Sequence, residues 1–284
     1  GRGWSGHHAH RCALSVPPMN NPGSRYQEWQ VRAWDRLDCV FQITPSLGQT
    51  RLRRLSMRIV EVYESIQGEG FLTGTKSVFV RTSGCNLRCW YCDTPYASWH
   101  PEGEDRPVDE LAAQIEAFGC RHVVVTGGEP MLFAEMLPLC RRLRDLDKHI
   151  TVETAGTLDL PVQCDLMSIS PKTSSSRPSP DQNARWAERH ERTRHVPEVI
   201  RQLVGRYEYQ FKFVIDRRED CVDVELYLQE FPEIDRGRVM LMPQGTEVDL
   251  LAAKAVWLEP YCEAHGLRFC PRRQIEWFGS RRGT

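Results

Sequence analysis

The chain has 284 residues, a formal net charge of −1 and 40% hydrophobic residues, which allow a sizeable core and suggest about two domains. Eleven cysteines in a chain of this length argue against a small secreted disulfide scaffold. Because no apolar run approaches the roughly 18 residues of a membrane span and no signal-peptide pattern is found, we expect a soluble, cytoplasmic protein.

The first 56 residues differ in composition from the rest. They carry eight arginines against three acidic residues, a local charge of +5, which leaves −6 for residues 57–284. They lack strand or helix periodicity and are broken by proline and glycine, so we expect a mostly disordered extension before one folded domain over 57–284. The acidic balance of that domain is unfavourable for a polyanion, and we expect no direct nucleic-acid binding, with a basic N-terminal arm as the alternative.

From Met57 onward, short apolar runs alternate with helical patterns. The runs predict strands over 58–63, 77–81, 122–126, 149–153, 166–169, 209–215, 238–242 and 267–270. The helical patterns cover 108–118, 132–144, 183–204, 219–229 and 247–259. Pro260 is expected to end or kink the last of these helices. The alternation predicts an α/β fold, and since only about six units fit, we expect a partial or modified (β/α)6 TIM-like barrel.

Chemically distinctive residues follow five of the predicted strands. In parallel α/β folds the loops after the strands share one edge of the sheet, where reacting groups collect. The five loops hold a cysteine-rich stretch from Cys85, Thr-Gly-Gly-Glu-Pro (126–130), Glu-Thr-Ala-Gly (153–156), Ser-Pro-Lys (170–172) and Pro-Gln-Gly (243–245). We therefore expect one site built from these loops.

Cys85, Cys89 and Cys92 lie in the eight-residue loop C-N-L-R-C-W-Y-C. Three thiolates at this spacing can hold one metal cluster, and without a fourth cysteine in the loop one iron of a 4Fe-4S cluster stays open to a substrate or cofactor. Structural zinc, with His100, Cys120 or another residue as fourth ligand, is the alternative, and disulfide use is a further one.

Cys-x3-Cys-x2-Cys after one strand and Gly-Gly-Glu-Pro after the next resemble the radical S-adenosylmethionine (SAM) superfamily. Gly-Gly-Glu-Pro alone is also an ordinary strand-to-helix turn. The resemblance implies that the cysteines hold a 4Fe-4S cluster, and that SAM binds its open iron and is cleaved to a 5′-deoxyadenosyl radical. The residues implied for SAM binding, for which turn geometry and surface polarity are the plain alternatives, are Tyr91, Asp93, Gly128, Glu129, Ser170, Pro171, Lys172 and Gln244.

A narrower resemblance covers Met57 to Thr284. It is carried by Glu-Ser-Ile-Gln-Gly-Glu-Gly (64–70), Arg81, Cys-Asp-Thr (92–94), 153–156, 170–172 and Arg-Gly-Thr (282–284), which together resemble 7-carboxy-7-deazaguanine synthase. That family converts 6-carboxy-5,6,7,8-tetrahydropterin to 7-carboxy-7-deazaguanine, a radical ring contraction with loss of ammonia on the route to queuosine and other 7-deazapurines. The resemblance implies regeneration of SAM, Mg2+ bound by Thr94, a homodimer, and a flavodoxin-like or other electron donor.

The residue types suit such a substrate. A carboxylate such as Glu69 and an amide such as Gln67 offer complementary hydrogen-bonding groups to a pterin edge, and Arg81 can make a bidentate pair with a substrate carboxylate. The plain alternatives are a glycine-flanked turn, a surface ion pair for Arg81 and a turn cap for Thr94. The resemblance implies Glu69 and Arg81 as catalytic residues and, for substrate binding, Ile66, Gln67, Gly68, Glu69, Arg81, Thr126 and Thr284.

Two departures from the family pattern limit the transfer of residue roles. The loop between Cys85 and Cys89 is compact, whereas some relatives carry a longer insert. Many relatives have Pro-Gln-x-His near the end, where this chain reads Pro-Arg-Arg-Gln (271–274). Another small radical SAM enzyme, such as a glycyl-radical activase, and a zinc-stabilised binding module remain the alternative functions.

Overall fold

The computed structural model describes residues 55–284, apart from the side chain of Gln182. The predicted disorder of the N-terminal extension therefore falls, over residues 1–54, outside the described part of the chain. None of the helices found within residues 55–284 has the length and hydrophobicity that a membrane span requires.

Nine strands and seven α-helices build the described chain. The strands are β1 Ser56–Ile66, β2 Lys76–Thr82, β3 Glu104–Pro107, β4 His122–Gly127, β5 His149–Thr154, β6 Leu166–Ile169, β7 Tyr209–Ile215, β8 Val239–Pro243 and β9 Arg268–Phe269. The helices are α1 Val108–Ala117, α2 Met136–Asp145, α3 Pro180–Thr193, α4 Pro197–Arg206, α5 Glu219–Glu230, α6 Val248–Ala264 and α7 Arg273–Phe278. Every predicted strand has a counterpart among them.

All nine strands form one sheet in the order β3-β1-β2-β4-β5-β6-β7-β8-β9. The strands from β2 to β9 run parallel, whereas β1 is antiparallel to both β2 and β3. Helices follow most of the parallel strands, as such crossovers require. The six strands β2, β4, β5, β6, β7 and β8 confirm the predicted partial (β/α)6 arrangement, and in the described chain the two end strands do not pair with each other.

Strand alternation separates the core from the site. In β7, Phe211, Phe213 and Ile215 are fully buried in the hydrophobic core that the helices share. Successive side chains point to opposite faces of a sheet, so the alternate residues Gln210 and Lys212 belong to the other face. Both are buried and hydrogen-bonded to polar partners. The face of the sheet opposite to this core is thus partly polar.

Three predicted helix boundaries were wrong. The helix predicted over 183–204 is two helices, α3 and α4, because Pro197 begins the second and Val196 before it is not helical. The helix predicted from residue 132 begins at Met136, after a 3-10 turn at Pro130–Leu132. Helix α6 continues past Pro260 to Ala264, so this proline does not end it. Strand β3 and helix α7 were not predicted.

Candidate active site

A cavity of about 350 Å³ opens at the carboxyl ends of the parallel strands. It is bordered by the loops after β1, β2, β4, β5, β6 and β8 and by residues 272–284. Most residues singled out from the sequence line it, namely Ile66, Gln67, Gly68, Glu69, Arg81, Cys85, Cys89, Tyr91, Cys92, Asp93, Thr94, Thr126, Gly128, Ser170, Lys172, Gln244 and Thr284. Glu129 and Pro171 do not line it. The scattered motifs therefore meet in one place.

The cluster loop, residues 85–92, brings three free thiols to this cavity. Burial raises the pKa of Cys85 to about 12 and raises the pKa of Cys89 further above its usual range. Such thiols stay protonated without a metal, and metal binding releases their protons. Because oxidants react with the thiolate, Cys85 and Cys89 are protected from oxidation as long as they stay protonated.

Hydrogen bonds with neutral groups of other elements help hold the cluster loop in shape, and inside it the Arg88 guanidinium donates to the carbonyls of Cys85 and Leu87 at 2.7 Å. The backbone N–H of Arg88, between the first two cysteines, donates to His190 Nδ1 at 3.1 Å. Burial lowers the pKa of His190 to about 4, so its ring is neutral and Nε2 donates to Ser176 Oγ at 2.8 Å. Trp99 Nε1 donates to the carbonyl of Cys89 at 3.0 Å. Sequence reasoning missed His190, because it lies about 100 residues away on α3 with no motif around it.

The donor set fits a 4Fe-4S cluster better than a single ion. Within the described residues, no three His, Cys, Asp or Glu side chains converge closely enough to bind one metal ion. A cubane does not require such convergence, because each thiolate binds a different iron. Cys120 cannot serve as a fourth zinc ligand, since it precedes β4 at the opposite edge of the sheet and its thiol donates to Glu64 Oε2 at 2.9 Å.

The Gly-Gly-Glu-Pro turn is shaped by backbone packing. A Cβ on Gly127 would lie 2.3 Å from the carbonyl oxygen of Thr82, and Gly127 has a φ of +131°. A Cβ on Gly128 would lie 2.0 Å from the carbonyl oxygen of Gly84. Both glycines therefore let the turn pack against the chain that leads to the cluster loop.

The sequence reasoning expected Glu129 to bind SAM, but its side chain does not line the cavity. It is fully buried, and its carboxylate accepts hydrogen bonds from Met131 N, Thr154 Oγ1 and Ala155 N at 2.8–3.0 Å. Burial raises its pKa despite these donors. The side chain ties the turn after β4 to the end of β5, and Pro171 is likewise buried. Both residues support the cavity wall without lining it.

The residues expected to bind SAM already have protein partners. Lys172 Nζ donates to Ser170 O at 2.6 Å and to Ser170 Oγ at 2.7 Å. Gln244 Oε1 accepts from Lys254 Nζ at 3.2 Å. Burial raises the pKa of Tyr91 well above its usual range, so this phenol is neutral. These partners hold polar atoms at the cavity edge, where a polar cofactor can meet them.

The charged wall, formed by Glu69, Glu153, Lys212 and Arg272, lines another part of the cavity. Lys212 Nζ lies 3.0 Å from Glu69 Oε2 and 2.7 Å from Glu153 Oε1, and its side chain is 4% exposed. Arg272 Nε lies 3.2 Å from Glu69 Oε1. Glu153 also accepts from Thr126 Oγ1 at 2.8 Å. Sequence reasoning missed Lys212, which lies in no motif, and gave no role to Arg272, which lies in the segment 271–274 where this chain departs from the family pattern.

Opposite charges keep this wall ionised. Burial alone raises the pKa of Glu69, but the charges of Lys212 and Arg272 outweigh it and lower that pKa to about 2. Burial disfavours the Lys212 ammonium, but Glu153 and Glu69 outweigh it and raise its pKa above the usual range. Glu69 is therefore a fixed acceptor at neutral pH.

Arg81, the last inward residue before the end of β2, is paired with protein groups. Its Nε donates to Glu61 Oε1 at 2.7 Å and its Nη2 donates to Tyr63 OH at 3.0 Å. Arg282 Nε lies 3.1 Å from the other oxygen of Glu61. Glu61 was not predicted, although it lies directly opposite Arg81 in the β1–β2 ladder.

The C-terminal segment closes the cavity beside the predicted substrate loop. Gln274 Nε2 donates to Glu69 Oε1, and Arg273 N donates to Gly68 O at 3.1 Å. A Cβ on Gly68 would lie 2.2 Å from Gln274 Oε1, so only glycine fits there without movement of Gln274. Gln67 is buried beside this contact, and its side-chain amide makes no hydrogen bond to any described residue. It remains available to a ligand.

Comparison with known proteins places the chain in a family. Residues 79–206 match the Radical SAM superfamily. The chain is 45% identical over 238 residues to 7-carboxy-7-deazaguanine synthase of Rhodopirellula baltica, covering 84% of this chain and 92% of that relative. It is 40% identical over 230 residues to the synthase of Halobacterium salinarum, covering 78% and 90%. The chain belongs to the 7-carboxy-7-deazaguanine synthase family. It is therefore a radical SAM enzyme, which implies a 4Fe-4S cluster and SAM.

The fold agrees with this placement. The crystal structure of QueE from Escherichia coli superposes with a TM-score of 0.57 at 21% identity, covering 79% of this chain and 99% of that one. At this identity the likeness concerns the fold alone. Membership in the synthase family decides against the glycyl-radical activase and the zinc-stabilised module as alternative functions.

Proposed function

We propose that the chain converts 6-carboxy-5,6,7,8-tetrahydropterin to 7-carboxy-7-deazaguanine with loss of ammonia. The observation that carries this proposal is one cavity lined by three cluster-type thiols, the ionised carboxylate of Glu69, the amide of Gln67 and the guanidinium of Arg81. Relatives at 40–45% identity over most of their length bear the name of this synthase. When bound, the cluster and SAM supply a carbon-centred radical by one-electron cleavage of the sulfonium.

The cofactors are assigned to the side of the cavity that the cysteines border. Cys85, Cys89 and Cys92 hold three irons of the cluster. Asp93 and Tyr91, the backbone of Gly128, and the turn of Ser170 and Lys172 border the polar groups of SAM, with Gln244 at the far edge. Glu129 and Pro171, which were expected to contact SAM, instead support the turns that carry these groups.

The substrate is assigned to the side formed by the loop after β1. The carboxylate of Glu69 accepts from the amino and ring N–H groups of a pterin, and the amide of Gln67 pairs with the adjacent carbonyl. Ile66 and Gly68 border the same loop. Because Glu69 stays ionised, it can also balance positive charge on the reacting ring without itself taking a proton.

The substrate carboxylate is assigned to the region of Arg81. Two of the three guanidinium nitrogens of Arg81 are bonded to Glu61 and Tyr63, and Nη1 has no hydrogen-bond partner in the described chain. Thr94 borders the same cavity, 3.8 Å from the Cys92 sulfur, and we propose it as a Mg2+ ligand together with the substrate carboxylate and water. Thr126 and Thr284 border this part of the cavity.

The finer features of the assembly are also proposals. We propose a homodimer, supported by the exposed apolar side chains Val222, Leu226 and Val256 on α5 and α6, and a flavodoxin-like or other protein as electron donor. The nine described cysteines are all free, which supports a reducing compartment such as the cytoplasm. We also propose that residues 57–284 form the catalytic domain, because every proposed ligand lies there.

Anaerobic turnover tests the proposed reaction. Reconstituted protein incubated with 6-carboxytetrahydropterin, SAM, Mg2+ and a reductant should form 7-carboxy-7-deazaguanine, identified by mass spectrometry. Product should exceed the SAM consumed. An intact cluster with no deazapurine would contradict the substrate assignment, whereas 5′-deoxyadenosine formed one for one with product would contradict regeneration of SAM.

A further inference from the structure

Arg272 is the buried cation of the charged wall that comes from the C-terminal segment. It lies between β9 and α7, and its side chain is 9% exposed. A guanidinium is rarely buried unless its donors are paired, because the cost of removing its charge from water must be offset. Its contacts therefore show what this position requires.

All three guanidinium nitrogens of Arg272 are used, each on a different loop. Nε donates to Glu69 Oε1 at 3.2 Å, in the loop after β1. Nη2 donates to Asp93 Oδ2, directly after the last cluster cysteine. Nη1 donates to the carbonyl oxygen of Gly245 at 2.6 Å, in the loop after β8. One planar group thus fixes three strand-end loops around the cavity.

The two carboxylates depend on Arg272 to different degrees. Glu69 keeps Lys212 and Gln274 as further donors. Arg272 is the one polar side-chain partner of Asp93 in the described chain, and the Asp93 side chain is otherwise 45% exposed. The orientation of the Asp93 carboxylate therefore depends on Arg272, whereas the orientation of Glu69 depends on Arg272 only in part.

We propose that Arg272 is a positioning residue that sets the SAM side and the pterin side of the cavity in one fixed arrangement, through Asp93 and Glu69. This inference rests on the proposed function, since it takes Asp93 to border SAM and Glu69 to border the pterin. A lysine should replace it only in part, because one ammonium nitrogen cannot reach Glu69, Asp93 and the carbonyl oxygen of Gly245, which Arg272 reaches with three separate nitrogens.

Binding measurements on the reconstituted holoenzyme test this proposal. Arg272→Met should weaken the binding of SAM and of 6-carboxytetrahydropterin by about 10-fold or more, the loss expected for one charge-assisted hydrogen bond. Each affinity is measured separately by anaerobic equilibrium dialysis. Iron content should stay near that of the parent, whereas the melting temperature should fall, because the substitution removes one of the two buried cations of the charged wall. Arg272→Lys should restore at most part of both affinities.

A neighbouring arginine provides the matched control. Arg273 is exposed and pairs with Glu276 at 2.6 Å, so Arg273→Met should leave both affinities unchanged. Asp93→Ala should weaken SAM binding, and adding Arg272→Met to it should weaken SAM binding little further, because both changes remove the same contact.

Several outcomes would overturn the proposal. These are unchanged SAM affinity in Arg272→Met, full restoration by lysine, or additive losses in the double variant. If Arg272→Met loses its cluster, the Arg272→Lys variant decides the question instead. Normal binding of both ligands to Arg272→Lys would show that the guanidinium group is not required. If the parent protein binds no carboxypterin, the proposed function fails by itself, and the SAM measurements still decide the role of Arg272.

Discussion

The cluster loop and the charged wall border the same cavity, but they are held by different forces. The hydrogen bonds that other elements make to the cluster loop join neutral groups, such as Arg88 N to His190 and Trp99 to the Cys89 carbonyl. Within the loop, the Arg88 guanidinium donates to the carbonyls of Cys85 and Leu87. The charged wall consists of buried ion pairs centred on Glu69 and Lys212. Neutral contacts suit a loop whose thiols must become thiolates around metal, whereas fixed charges suit the recognition of a polar, carboxylated ring.

The cluster loop carries the largest expected effect. Cys89→Ala removes one of three iron ligands, so the reconstituted protein should lose its cluster and all turnover, whereas the parent should hold about four irons and four sulfides per chain. Iron, sulfide and visible absorbance measure this. Cys164→Ala, outside the loop, should keep the cluster. Stoichiometric zinc in the anaerobically prepared parent, with no cluster absorbance, would remove the basis of the comparison.

Lys212 should be the most sensitive position of the charged wall for stability. Lys212→Met leaves two part-buried carboxylates without the buried cation they share, which costs up to about 3–5 kcal/mol and should lower the melting temperature by up to roughly 6–20 °C. Adding Glu153→Gln should recover part of the loss. Lys76→Met, which breaks an exposed pair with Glu64, should shift the melting temperature little. Equal shifts in melting temperature for the two lysine variants would show that the ion pairs of the charged wall contribute no more to stability than an exposed pair.

A substitution of Arg81 tests substrate binding, not the stability of the fold. Arg81→Met should weaken the binding of 6-carboxytetrahydropterin by about 1.5–3 kcal/mol, the value of a charged hydrogen bond. The iron content should not change. Calorimetric titration under anaerobic conditions measures this, with Arg144→Met, which breaks a partly exposed pair with Asp165, as the control. Unchanged pterin affinity would place the substrate carboxylate elsewhere and leave Arg81 as a partner of Glu61 only.

The smallest effect is expected on the neutral side. His190→Leu leaves the Arg88 N–H and the Ser176 hydroxyl without this partner, at a cost of about 1–3 kcal/mol, and the reconstituted variant should lose iron faster to a chelator than the parent does. His195→Leu, at a part-exposed histidine paired with Glu230, should not. Identical chelation rates in all three proteins would show that α3 does not hold the cluster loop.

The same contrast explains what could be predicted from the sequence. The cysteines, Gly-Gly-Glu-Pro and the strands were predicted because each is a local pattern, with spacing set by a loop or by strand alternation. Of the charged wall, Glu69 was predicted from its motif, but its ion pairs with Lys212 and Arg272 were not, since these residues come from other elements and meet Glu69 only in the folded chain. Alternation in β7 could have suggested Lys212 as a polar residue on the inner face. Nothing local distinguishes Arg272 from Arg273.

The central claim is that SAM at the cluster and the carboxypterin occupy one cavity at the same time. Electron paramagnetic resonance of the reduced, reconstituted protein tests it directly, with spectra recorded before and after SAM and then after 6-carboxytetrahydropterin. The account predicts that SAM shifts the cluster signal and that the pterin shifts the SAM-bound signal again, and that Arg81→Met shows the second shift only at higher pterin concentration. A SAM-bound signal that does not change with saturating, independently measured pterin binding would contradict it.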